Sequence, residues 1–198
     1  MKARSKALLL ALCAVLLVAV SVLGTMAYLT SKTQVITNTF TVGDINIELT
    51  ETKPESKQAK IIPGVDIEKD PKVTVKANSV ACWLFVEVKA EGTFVTDKVT
   101  YSIADGWTKG DGTNIPTDVY YRSVNAVTAD TGFYVLKGNE TYENGVVTVS
   151  ETLTKADVNK ITAGNQPKLT FTAYAVQKDG IDTAAAAWEK VNNTSGSN

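Results

Sequence analysis

Short alternations of apolar and polar residues, separated by Gly, Asn, Asp and Pro, fill most of this 198-residue chain after its first forty positions. A period of two is typical of β-strands, and turn residues at short intervals are typical of antiparallel all-β folds. The clearest strand is predicted at residues 80–88. One of its faces carries Cys82, Leu84, Val86 and Val88, and the other carries Trp83 and Phe85. Because both faces are apolar, we predict a central strand that is covered on both sides.

Further strands are predicted at residues 45–49, 72–76, 99–103, 119–124, 133–136, 146–149 and 168–176. About eight or nine strands at these spacings predict an all-β fold, an antiparallel jelly-roll-like β-sandwich. We assign this sandwich to residues 43–191 and find no second domain. Residues 153–160 favour a two-turn helix with Thr154 as its cap. Residues 50–60 are polar, which predicts an exposed loop.

The C-terminal part of the chain predicts one further helix. Residues 182–191 include four consecutive alanines, and either Asp182 or Thr183 can cap the first turn. The helical spacing of its apolar residues predicts that Trp188 packs against the sandwich. The small, polar residues 192–198 predict a disordered tail.

The beginning of the chain has the features of a secretory signal peptide. Three basic residues lie within the first six positions, residues 7–23 are apolar apart from Ser21, and small residues at Thr25 and Ala27 flank Met26. This pattern predicts that residues 1–27 are removed by cleavage between Ala27 and Tyr28. The alternative is an uncleaved membrane anchor, for which the apolar run is at the lower length limit.

Composition after the predicted cleavage excludes several classes of function. The leader holds three of the 20 basic residues and none of the 21 acidic ones, which leaves the rest of the chain with a net charge of about −4. Mild acidity without a basic cluster argues against nucleic acid and anionic membranes as partners. Histidine is absent, so a Ser-His-Asp or Cys-His nucleophile cannot be assembled from this chain. Cys82 is the one thiol that remains, which excludes an intrachain disulfide and favours a packing role.

Two groups of residues are candidates for ligand chemistry. Asp66, Glu68 and Asp70 alternate along the chain and offer oxygen ligands to Ca²⁺, although exposed strand faces carry the same pattern. A second group could line a sugar-binding cleft or be ordinary loop acids and strand aromatics. It comprises Asp105, Gly106, Trp107, Asp111, Asp118, Tyr120, Tyr121 and Arg122.

The segment directly after the predicted cleavage site favours a β-strand. Residues 28–41 are rich in Thr, Val, Ile and Phe, and their extended length is about 45 Å at about 3.3 Å per residue. Such an arm at residues 28–42 can add as a strand to the open sheet edge of another molecule. The residues alone favour the alternative, in which this segment forms the first strand of its own sandwich. In the first case, the apolar residues Val35, Ile36, Phe40 and Val42 form the subunit interface.

Several segments together resemble the TasA/camelysin family of exported proteins from Gram-positive bacteria. They are GTMAY at 24–28, NTFTVG at 38–43, INIEL at 45–49, PG at 63–64, EKDP at 68–71, the strand at 83–88, FTAYAVQ at 171–177 and the helix with Trp188. The resemblance covers nearly the whole chain.

The resemblance implies a jelly-roll subunit of fibres in the extracellular biofilm matrix, processed by a SipW-type signal peptidase. In such fibres, the N-terminal segment of one subunit completes the sheet of the next. We expect a secreted protein that is not an enzyme and has no cofactor or metal site. It binds copies of itself and other matrix proteins, and meets the membrane through its uncleaved leader alone.

Two alternatives remain open. Some camelysin relatives are metallopeptidases, so a metal-dependent endopeptidase is one, although the chain lacks the histidines of zinc proteases. A monomeric surface adhesin or carbohydrate-binding module that uses the region of Trp107 and Tyr120 is the other.

Overall fold

The computed structural model describes residues 30–34, 45–53, 60–92, 98–162 and 166–195. Within these ranges it contains eleven strands and two helices, and every pair of neighbouring strands is antiparallel. The strands are β1 (Thr30–Gln34), β2 (Ile47–Thr50), β3 (Ile67–Glu68), β4 (Lys72–Val75), β5 (Cys82–Glu91), β6 (Val99–Tyr101), β7 (Thr108–Lys109), β8 (Val119–Val124), β9 (Thr131–Tyr134), β10 (Val146–Val149) and β11 (Lys168–Gln177). The helices are α1 (Lys155–Val158) and α2 (Ala184–Ser195). The prediction of an antiparallel all-β fold is confirmed.

The largest sheet has five strands in the order β1-β11-β5-β8-β7. Its centre is the pair β5 and β11, two ten-residue strands that pair along their full length. Leu84 and Val86 of β5 enter one buried cluster, whereas Phe85 enters another on the opposite face. The prediction of a central strand covered on both sides is therefore confirmed.

Two smaller sheets, β3-β10-β6 and β2-β4-β9, cover one face of the five-stranded sheet. A bridge between Ile103 and Leu136 links them. Alternate residues of β2 and β4 are buried, so Ile47, Val73 and Val75 enter the same cluster as β5 and β11. This cluster is the main core.

The other face of the five-stranded sheet is covered by α2. Thr183 caps this helix, because its Oγ1 accepts a hydrogen bond from the backbone N–H of Ala186 at 3.2 Å. Trp188 is 4% exposed and its ring lies 5.2 Å from Phe85 and 5.4 Å from Tyr174. The predicted packing of Trp188 is confirmed. The helix also extends to Ser195, four residues into the segment predicted as a disordered tail.

Element boundaries follow the predictions closely where a strand has a strong alternating pattern. The predicted strands at 119–124 and 146–149 coincide with β8 and β10, and β11 extends to Gln177. The predicted strand at 133–136 instead starts at Thr131, because it pairs with β4. Helix α1 is a single turn with the predicted cap at Thr154. The side chain of Thr154 accepts a hydrogen bond from the backbone N–H of Asp157, and the side chain of Asp157 accepts one from the backbone N–H of Thr154.

Candidate assembly edge and the predicted site residues

Among the described strands, β1 forms one edge of the five-stranded sheet, where it pairs with β11 of the same chain. The five pairs run from Thr30 opposite Val176 to Gln34 opposite Thr172. Strand β11 therefore lies between β1 and β5 over this stretch. An edge strand at one end of a chain is the kind of element that two copies of a protein can exchange.

The partner of β1 is the most completely buried strand segment that the structure describes. All six residues from Phe171 to Val176 are buried, with Ala173 and Ala175 facing the main core and Tyr174 and Val176 facing α2. If β1 left this position, the backbone N–H and C=O groups along one side of β11 would lose their partners. A sheet edge with unpaired backbone groups can form hydrogen bonds with another extended strand.

The described residues of β1 pair with the second half of β11. These pairs run to Thr172, and β11 continues back to Lys168 in full pairing with β5. The predicted interface residues Val35, Ile36, Phe40 and Val42, and the cleavage residues Ala27 and Tyr28, lie outside the described residues.

The three acids of the candidate calcium site each bind different partners. Asp66 accepts hydrogen bonds from Asn139 Nδ2 at 2.9 Å and from the backbone N–H of Val149 at 3.3 Å. Glu68 forms an ion pair with Lys53 at 3.2 Å. Asp70 is buried and accepts from the backbone N–H and the hydroxyl of Thr52. Across the described ranges, no cluster of three or more Cys, Asp or Glu side chains is arranged to hold a metal ion.

The same contacts correct the prediction for residues 50–60. The start of this segment is not an exposed loop, because Glu51 forms an ion pair with Lys69 at 2.7 Å, with side-chain exposures of 7% and 11%. Lys69 Nζ also lies 5.5 Å from the centre of the Phe171 ring. The register of β2 with β4, extended by two residues, places Thr52 opposite Asp70. The opposite charges of Glu51 and Lys69, and of Lys53 and Glu68, were the signal in the sequence that could have indicated these contacts.

The candidate sugar-binding residues do not form one cleft. Asp111 stabilises its own loop, because its carboxylate accepts from the backbone N–H groups of Ile115, Thr113 and Asn114, which hold its pKa well below the usual range. Tyr120 packs against the main core, whereas Tyr121 packs with Phe85 on the α2 side. Adjacent strand residues point to opposite faces, so both tyrosines cannot line one site.

Other members of this group also separate. Asp105 is exposed and forms an ion pair with Lys137 at 3.3 Å. The backbone C=O of Asp118 accepts a hydrogen bond from the N–H of Val88 at 2.8 Å. The contacts of Asp105 and Asp118 thus stabilise turns and strand ends. Burial is the main reason that the pKa of Tyr120 is raised.

Trp107 and Arg122 do lie together, with a third residue that the sequence analysis did not include. The guanidinium carbon of Arg122 is 5.4 Å from the centre of the Trp107 ring and 3.9 Å from that of Phe133. The indole N–H of Trp107 donates to the backbone C=O of Tyr134 at 2.8 Å, which fixes the ring. Burial lowers the pKa of Arg122. Phe133 comes from β9, whose position next to this cluster depends on the tertiary fold.

Cys82 is fully buried, and burial raises the pKa of its thiol to about 12. Such a thiol stays protonated and packs as a small apolar side chain. The predicted packing role therefore agrees with its position on β5.

Neither α1 nor α2, the helices of the described ranges, is long and apolar enough to cross a membrane. Comparisons of the chain with protein-family models, with characterised proteins and with solved structures find no match.

Proposed function

We propose that this protein is a secreted structural subunit of extracellular matrix fibres, in which each subunit completes its large sheet with the N-terminal strand of a neighbour. The observation that carries the proposal is the place of β1. It is an edge strand at the start of the described chain, and it pairs with β11 through backbone contacts that any extended segment can make.

The same pairing can form within one chain or between two chains. A donated β1 would meet the same β11 edge in the same antiparallel register, so the rest of the fold need not change. Five residue pairs supply roughly five backbone hydrogen bonds, each contributing about 0.5–1.5 kcal/mol. Because this gain is similar in both arrangements, concentration and additional contacts in the fibre decide between them.

A donated arm could also pair with the part of β11 that precedes Thr172. If a donated arm kept the register of β1, Val35 would lie opposite Phe171 and Ile36 opposite Thr170. Phe171 faces the main core, so Val35 would add apolar contact there. Residues 28–42 as a whole would then form the donated segment, as the TasA/camelysin resemblance implies.

The remaining parts of the proposal follow from the sequence. The leader at residues 1–27 directs export, and a SipW-type signal peptidase releases the arm at Tyr28. The five-stranded sheet and the two smaller sheets form a jelly-roll-like sandwich. The protein acts by assembly and not as an enzyme.

The decisive experiment is disulfide trapping in the processed protein that begins at Tyr28. Gln34 and Thr172 are directly opposite, and such pairs have Cα separations that a disulfide can bridge. One preparation carries Gln34→Cys, a second carries Thr172→Cys, and the two are mixed and oxidised during assembly. Strand donation predicts a covalent dimer of one copy of each variant.

A matched control replaces Thr172→Cys with Lys109→Cys, at the opposite edge of the same sheet, and should give no dimer. A protein that lacks residues 28–42 should remain folded and give no fibres in electron micrographs. Fibres in normal yield from this deletion would refute the proposal, as would fibres in which a Gln34→Cys, Thr172→Cys double variant forms the bond within one chain alone.

A further inference from the structure

Arg122 of β8 is a half-buried cation whose guanidinium lies against two aromatic rings. Trp107 and Phe133 lie on it at 5.4 and 3.9 Å, and Trp107 is itself fixed by its hydrogen bond to Tyr134. Stacking of this kind orients the guanidinium and leaves its N–H groups to bind in the plane of the group.

No described residue uses those N–H groups. Arg122 forms neither an ion pair nor a hydrogen bond within the described part of the chain, and its Nε is buried without a partner. Partly desolvating a charged group without a counter-charge is unfavourable. Two other cations that are buried or half-buried contrast with it, since Lys69 and Lys98 each bind a carboxylate.

The space beside the two terminal nitrogens depends on a glycine. Gly106 has φ +86°, and a Cβ at this position would lie 3.2 Å from Nη2 and 3.4 Å from Nη1 of Arg122. A side chain there would crowd the two nitrogens. Two parallel N–H donors fit the two oxygens of a carboxylate.

A second cation lies on the same side of the sheet. Lys109 of β7 is directly opposite Tyr120, and Tyr120 and Arg122 share one face of β8. Lys109 is exposed and has no ion-pair partner among the described residues. The half-buried rings of Tyr120 and Trp107 add apolar surface next to the two cations.

We propose that this Arg122 cluster (Trp107, Lys109, Tyr120, Arg122 and Phe133) binds a sugar carboxylate, namely a uronic acid residue of an acidic polysaccharide. The guanidinium binds the carboxylate through two parallel hydrogen bonds, Lys109 adds attraction, and the aromatic side chains contact the sugar ring. A rigid pyranose covers these rings better than the flexible side chain of an acidic peptide. The site is independent of strand donation, because it lies at the opposite end of the five-stranded sheet from β1.

The test is an NMR titration of the processed protein, kept monomeric by dilution, with trigalacturonate. Arg122 is the one arginine that follows the leader, so its Nε–H resonance is a unique reporter. We expect saturable shifts of this resonance, with a dissociation constant in the range of about 1 mM. Neutral galactotriose should cause no shift.

Variants separate binding from folding. Arg122→Gln should weaken binding about tenfold or more, and Arg122→Lys, which keeps the charge without the paired donors, should weaken it less. Lys109→Gln should weaken it about twofold to threefold, as expected for a rim charge. Lys155→Gln, which makes the same change in charge on α1, should have no effect. Far-UV circular dichroism of each variant reports whether it is folded.

Three results would overturn the proposal. The first is the absence of saturable shifts in the folded wild-type protein. The second is equal binding of the neutral and the acidic trisaccharide. The third is stronger binding of polyglutamate than of trigalacturonate, which would make the partner an acidic peptide. Because Lys109→Gln and the Arg122 resonance are read in folded protein, the proposal stays testable even if Arg122→Gln unfolds.

Discussion

Trp188 is the side chain whose replacement best tests how α2 is held on the sheet. Its ring lies between Phe85 and Tyr174, and its Nε1 is buried without a hydrogen-bond partner in the described structure. The ring should therefore stabilise the fold, whereas the N–H group should oppose it. Trp188→Ala removes both, and Trp188→Phe removes mainly the N–H group.

The two substitutions should differ by several kcal/mol. Burial of a Trp side chain removes about 150–250 Å² from water, which corresponds to about 4–6 kcal/mol as an upper limit. Trp188→Ala should therefore lower the free energy of unfolding by about 3–5 kcal/mol. Trp188→Phe keeps most of the contacts and removes a buried, unpaired N–H, which destabilises the folded state by about 1–3 kcal/mol. This variant should therefore lower the free energy of unfolding by less than about 1.5 kcal/mol.

Trp107→Phe is the matched control, because the indole N–H of Trp107 donates to Tyr134. Trp107 is more exposed than Trp188. Trp107→Phe should nevertheless lower the free energy of unfolding more than Trp188→Phe does, because it leaves the backbone C=O of Tyr134 without its donor. Urea unfolding followed by far-UV circular dichroism measures all three variants without relying on tryptophan fluorescence. A Trp188→Phe loss as large as that of Trp188→Ala would refute the reasoning.

Three further predictions concern ionisable groups. Glu51→Leu or Lys69→Met alone should lower the free energy of unfolding in urea by about 3–5 kcal/mol, because each leaves a buried charge unpaired. The double variant should change this free energy little. Single variants as stable as the wild type would contradict the pairing. The pKa of Asp111 is lowered in the folded state, so its stabilisation is complete above the ordinary carboxyl pKa of about 4 and is lost as the pH falls through the lowered value. Asp111→Asn should therefore flatten the decline of the melting temperature in that acidic range, and an unchanged slope would count against this account. The raised pKa of the Cys82 thiol, about 12, predicts no reaction with a thiol reagent at about pH 8.5 in the folded protein and full reaction in urea; rapid reaction of the folded protein would show that the strand opens.

The sequence was most informative where a local pattern and the tertiary environment agree. The alternation at residues 80–88 predicted both faces of β5, because a period of two directly reflects the two sides of a sheet. The cap at Thr183 and the position of Trp188 followed from helix rules in the same way. These elements need no knowledge of their partners.

Other features depend on partners that are distant in sequence. Strands β3 and β7 have two residues each, too few for a detectable alternation, and they exist because β10 and β8 offer edges. The stacking of Arg122 on Phe133 requires β8 and β9 to be brought together by the fold. The eight candidate sugar-binding residues do not form one cleft, and the three acids do not form a calcium site, for the same reason: their carboxylates bind lysines, an amide, backbone groups and hydroxyls.

The antiparallel arrangement of β1 and β11 has a mechanical consequence for a fibre built by strand donation. Inter-strand hydrogen bonds are perpendicular to the strands, so a pull along the donated arm loads all of them together in shear. The bonds then fail collectively, whereas peeling from one end would break them one at a time. Single-molecule stretching of linked subunits should therefore show high rupture forces at the junctions, and the tensile strength of the filament would rise with the length of the donated arm.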